Sequence, residues 1–112
     1  MPKTVKLEIY LPQQSLDAVL GALAQAGACQ VGKYAFVSSY APVQGTWMPQ
    51  AGAQPYAGKV GELCRGTEYK LEVRCPAGAV PQALAAVRKH HPYEQPVIYV
   101  LPLWNEYWDE QP

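Results

Sequence analysis

Twice in this chain a run of alternating apolar residues ends at a proline, and a helix-spaced apolar pattern follows it. Val5, Leu7, Ile9 and Leu11 alternate with Lys6, Glu8 and Tyr10, and Pro12 closes the run. Period two is the mark of a strand with one face buried. Ser15 is placed to cap a helix, Leu16, Val19, Leu20 and Leu23 follow at helical spacing, and Gly27 ends it. The second copy starts at Tyr69, Leu71 and Val73, which alternate with Lys70, Glu72 and Arg74. Pro76 and Gly78 break that strand. Val80, Leu84 and Val87 mark the second helix, with Pro81 tolerated in its first turn and Pro92 ending it.

Two further strands complete the pattern. Residues 31–40 are rich in aromatic and β-branched side chains, and residues 97–103 are apolar almost throughout. The order strand, helix, strand, strand, helix, strand predicts a ferredoxin-like α+β fold, with both helices on one face of an antiparallel sheet. One domain spans residues 1–112, with its core at about 4–103. In that arrangement the first and third strands are central and the fourth lies at an edge. Its apolar residues, among them Val97, Tyr99 and Leu101, invite pairing with another chain, so a homo-oligomer is expected. The aromatic and acidic tail from Trp104 onward either joins that interface or folds back over the edge. The open sheet face carries Lys6, Glu8, Lys70, Glu72 and Arg74, which are solvated or become ion pairs between subunits.

Residues 41–67 hold five glycines and three prolines, and a connection of this length is functional or contains its own small structure. A short hairpin with Thr46, Trp47 and Met48 in one limb is expected there. Such an excursion on a rigid sheet is where a binding function sits.

Charge excludes several functions. Nine basic residues balance nine acidic ones, so nothing attracts a phosphate backbone and nucleic acid is not an expected partner. Apolar runs are far too short to span a membrane, and the first residues lack the apolar centre of a secretion signal. Three cysteines with no paired spacing point to reduced thiols, and the chain is expected to be cytoplasmic. Glycine and proline together stay below the roughly 25–30% share that marks disordered chains.

Chemistry-bearing motifs are few. The stretch from Gly52 to Val60 lacks both the spacing and the terminal hydroxyl of a phosphate loop. The segment His90-His91-Pro92-Tyr93-Glu94 offers an imidazole and a carboxylate three positions apart, able to share a metal or a proton. Helix-end chemistry explains the same residues, since histidines favour the negative end of a helix and proline stops it. Two histidines in the whole chain cannot build a three-histidine zinc site within one copy. Cys29 and Cys75 beside strands read as small core residues.

Three segments together resemble the YqfO-like family, also called NGG-interacting factor three. They are Gly27-Ala28-Cys29-Gln30-Val31-Gly32-Lys33-Tyr34, then Gly45-Thr46-Trp47-Met48-Pro49 with Gly52, Pro55, Gly58 and Gly61, and finally His91-Pro92-Tyr93-Glu94 with Tyr99, Pro102 and Leu103. The resemblance spans residues 5–103. Lys33 replaces the family's asparagine, and Gln95 its second glutamate after the tyrosine. Larger members carry a dinuclear-metal core with a smaller domain inserted, and this chain looks like that inserted domain. The inserted domain is similar in fold to PII signalling proteins and to CutA. The resemblance implies trimers, nucleotide binding between subunits in PII, and links to divalent metals in CutA. The metal core's histidines are absent, so it implies no hydrolase activity here.

The expected function is a non-enzymatic PII/CutA-like oligomeric module, a trimer, that binds a small ligand or divalent metal or regulates a partner protein. His91, Glu94 and Cys75 are the candidate metal or ligand residues, with three chains supplying three copies of each. Trp47, Pro49, Gly52, Pro55, Tyr56 and Gly58 are the candidate loop or partner-binding residues, and Val97, Tyr99, Leu101 and Trp104 the candidate interface. The alternatives are a small metal-dependent hydrolase with an oligomer-assembled site, and a purely structural assembly domain.

Overall fold

In the computed structural model, which describes residues 1–108, the first alternating run becomes strand β1, Thr4–Leu11, with every second side chain buried. Leu7, Ile9 and Leu11 are fully buried, and each such burial stabilises by about 1.5–3 kcal/mol. A single 3-10 turn, Gln13–Ser15, leads from Pro12 into helix α1, Leu16–Gln25. Ser15 occupies the N-cap position but makes no side-chain capping bond, because its backbone is already helical. The helix ends as Gly27 predicts. Ala28 N–H bonds the Leu23 carbonyl at 3.0 Å and Gly27 N–H the Ala24 carbonyl at 3.3 Å, with Gly27 at φ 99°. This double closure needs a left-handed residue, which glycine supplies without strain.

The second strand is not where the sequence places it. Residues 31–38 form a tight turn and loop, and strand β2 runs Ser39–Trp47. Val31 and Tyr34 bridge each other across that turn, while Cys29 and Phe36 sit at φ 69° and 59°, which no extended strand allows. The aromatic content that suggests a strand there belongs to solvent-facing loop residues, with Tyr34 75% exposed. The hairpin expected within 41–67 is the pair of β2 with strand β3, Cys64–Pro76, so the loop between them shrinks to residues 48–63. Thr46 and Trp47 lie in its limb, and Met48 lies just beyond.

Helix α2, Val80–His90, and strand β4, Ile98–Leu103, complete the chain. The sheet order is β2-β3-β1-β4, antiparallel throughout, which is the ferredoxin-like arrangement with β1 and β3 central. One core lies between the sheet and the two helices. Leu71, Val73 and Cys75 from β3 meet Val19 and Leu23 from α1 and Ala83 and Val87 from α2.

Two features leave this core. Beyond the end of β1, which pairs Leu11 with Tyr69, the remaining β3 residues pair only with β2. They form a two-stranded arm that gives the molecule extents of 49 × 24 × 24 Å and a radius of gyration of 15.3 Å. A compact chain of this length has a radius of about 13 Å. The outer edge of β4 is also open. Val97, Tyr99 and Val100 are 43%, 53% and 42% exposed. Among the described residues the tail does not run along this edge. It makes one turn, Asn105–Trp108, whose Glu106 accepts the Lys3 N–H at the start of β1. Asp109 and Glu110 of the acidic tail lie outside the described residues.

On the open face the charges pair within the chain. Register sets Lys6 opposite Arg74 and Glu8 opposite Glu72, like against like. Diagonal contacts across the strands relieve this, with Lys6 Nζ 2.7 Å from Glu72 and Lys70 3.6 Å from Glu8, and Lys6 also lies 2.9 Å from Glu8 along its own strand. Hydrogen bonds to Glu72 and then Glu8 push the Lys6 ammonium up to about 12.

Candidate functional site

Helix α2 stops at His90 because Pro92 cannot follow a helical residue, and His91 is extended at φ −97°, ψ 130°. That turn drives the His91 ring inward, where it is 7% exposed. Its Nε2–H donates to the Tyr10 carbonyl at 2.7 Å, and its Nδ1 accepts the Tyr93 N–H at 3.2 Å. Both nitrogens are thus used, and they fix the neutral tautomer. Burial pushes the imidazole below its ordinary value, outweighing the Tyr10 hydrogen bond and the nearby Glu68, which act the other way.

Tyr93 carries the arrangement outward. Its ring lies 4.6 Å from that of His91 and 5.5 Å from that of Tyr56 in the loop. Its hydroxyl donates to Glu68 Oε2 at 3.0 Å, and burial followed by this bond pushes the phenol up to about 12. Glu94 takes the Gln54 N–H on Oε1 at 2.9 Å, while Gln14 Nε2 donates to the Tyr56 hydroxyl at 3.0 Å. Residues 91–95 therefore fasten the 48–63 loop to the core.

The loop's own residues shape the other wall. Pro49 is buried at its neck, where its carbonyl accepts Gly61 N–H at 2.8 Å. Trp47 Nε1–H donates to the Ala57 carbonyl at 3.0 Å. Gly58 sits at φ 96°, and a Cβ there would stand 2.5 Å from Cys64 Sγ and 3.1 Å from Trp47 Nε1. Glycine is the residue this approach admits. Gly52 is a turn residue at φ 92° with open space around it.

Between the loop, the arm and residues 93–97 opens a groove of about 690 Å³. Trp47, Tyr56, Tyr69, Tyr93, Glu68 and Glu94 are among its lining side chains. Of the candidate loop residues, Trp47, Pro49, Pro55 and Tyr56 line it, and Gly52 and Gly58 shape the loop behind. Glu68, Gln14 and Gln54 are missing from the sequence-based set, and no motif marks them.

The candidate metal ligands do not converge within one chain. His91 has no free nitrogen, and Glu94 is bonded to the loop. Cys75 is buried opposite Val5, with its thiol against the Pro76 carbonyl at 3.3 Å and pushed up by burial. Among the described residues no group of three or more His, Cys, Asp or Glu side chains is able to hold a metal ion. These donors do not fit a metal centre in a single copy. Of the candidate interface residues, two lie in β4 and two flank it. Tyr99 and Leu101 lie opposite Glu8 and Lys6 on the open face, Val97 lines the groove, and Trp104 packs on Tyr107 with ring centroids 5.3 Å apart.

No family model matches the chain. A GTP cyclohydrolase 1 type 2 homolog from Halalkalibacterium halodurans is 37% identical over 101 residues, 90% of this chain and 27% of that protein. The chain thus spans about a quarter of the length of such relatives. A solved Bacillus cereus protein described as related to NIF3 superposes with a TM-score of 0.81 at 30% identity, over 93% of this chain and 26% of that one. The divalent cation tolerance protein CutA1 from Thermus thermophilus superposes with a TM-score of 0.69 at 22% identity, over 95% of this chain and 92% of its own.

Proposed function

We propose, from the resemblance of this chain to one quarter of the GTP cyclohydrolase 1 type 2 homologues and to whole CutA proteins, that it is a non-enzymatic, oligomeric binding module. The ligand sits in the groove under the 48–63 loop. One observation carries this reading. The glycine-proline loop and the segment from Tyr93 to Val97, far apart in sequence, meet as two walls of one groove, fastened by the Gln54–Glu94 hydrogen bond and the Tyr56–Tyr93 ring contact. Concave, aromatic-lined clefts with a few polar groups are the usual form of a small-molecule site.

Oligomerisation rests on exposure. A two-stranded arm standing off the core has little to stabilise it alone, and β4 offers an open apolar edge. A homotrimer places each arm against a neighbour. Native mass spectrometry of protein kept from chelators tests both parts. A trimer with retained ligand mass supports the module, and a bare monomer overturns it. The assembly-domain reading is favoured by the same open edge and predicts a bare oligomer.

A further inference from the structure

We infer that the groove takes a small organic cation, an ammonium or guanidinium group on an apolar body. This rests on the binding-module reading and names its ligand class. The chain as a whole is electrically balanced, with nine basic and nine acidic residues, but the groove is not. Its charged lining side chains are Glu68 and Glu94, and among the described residues no Lys, Arg or His lines it. The adjoining hollow of about 470 Å³ repeats the sign, with Asp17 beside Tyr40 and Tyr69. Lys59 and Arg65 belong to the neighbouring loop and arm and do not line either one.

The two carboxylates are held rather than loose. Glu68 spends Oε2 on Tyr93, and Glu94 spends Oε1 on Gln54 N–H, so each is oriented and keeps a second oxygen. Trp47, Tyr56, Tyr69 and Tyr93 supply aromatic rings around them. Aromatic faces attract cations through their quadrupole, and oriented carboxylates add charge complementarity. The same lining repels a phosphate-bearing ligand, and among the described residues no third His, Cys, Asp or Glu side chain joins the two carboxylates to hold a divalent ion.

The test titrates the full chain with three probes: choline, its neutral carbon isostere neohexyl alcohol, and adenosine diphosphate. The readout is the Trp47 indole N–H resonance, identified by its loss in Trp47→Phe. Choline is expected to shift it saturably, and neohexyl alcohol to bind roughly tenfold more weakly. Glu68→Gln, which keeps an acceptor for Tyr93, is expected to weaken choline by roughly tenfold as well. Equal affinity for choline and the alcohol, or preference for the diphosphate, overturns the cation assignment and leaves a binding module with another ligand. No response to any probe overturns the inference, and a bare mass in the native spectrum then removes the binding reading too.

Discussion

His91 shows how a residue with ligand chemistry is spent on architecture. Its two nitrogens hold Tyr10 and Tyr93 only in the neutral form. The folded value lies below the ordinary 6.5, so the fold binds fewer protons than the unfolded chain between the two values. The stability that neutral His91 contributes is present above about pH 6.5 and is lost as pH falls through the depressed folded value. Thermal melts at about pH 5 and about pH 8 are expected to differ for the native protein. His91→Gln removes that part of the difference and costs about 1–3 kcal/mol at neutral pH, from backbone groups left unsatisfied. An unchanged pH response in the variant contradicts this role. Gly58 gives a second residue-scale prediction. Gly58→Ala meets both a left-handed backbone and a Cβ 2.5 Å from Cys64 Sγ, so a loss of about 1–3 kcal/mol in urea unfolding is expected, with a displaced Trp47 indole resonance. The residue types at 91 and 94 are visible in the sequence as donors and acceptors. Their partners are not, because Tyr10 lies 81 positions from His91 and Gln54 lies 40 from Glu94.

At the scale of elements, the 48–63 loop is held by few bonds, and Glu94 supplies one of them. Glu94→Ala is expected to speed proteolytic cleavage within the loop severalfold while the global unfolding midpoint moves little, since loop opening and core unfolding are separate events. Equal cleavage rates in the two proteins argue that Glu94 is not a clamp. The regular elements with one clean buried face, β1, β3 and both helices, are legible from their periodicity. The second strand is not. Most of β2 is exposed, so no burial pattern marks it, whereas the loop before it is rich in aromatic side chains. One local signal does survive. Pro42 in β2 and Pro102 in β4 both fall on edge strands, where a missing N–H is tolerated.

The whole molecule is longer than its residue count requires, because the arm extends past the helices. If neighbouring copies pack on the arm and the β4 edge, charge placed there separates them. Val100→Lys is expected to shift native mass spectra toward monomer without unfolding the core, since Val100 is 42% exposed. Retention of the full oligomer by this variant moves the interface elsewhere.

Sequence alone determined the order of elements, the faces of β1, β3 and the helices, and the edge position of β4. These follow from local propensity and from periodic burial, which each segment carries in its own residues. Tertiary structure decided the rest. It moved β2 into the glycine-proline region, paired sheet charges across the strands, turned His91 and Glu94 from candidate ligands into fasteners, and formed the groove between the loop, the arm and residues 93–97. Each of these depends on contacts between segments tens of residues apart, and no local pattern encodes which distant backbone group a side chain will meet.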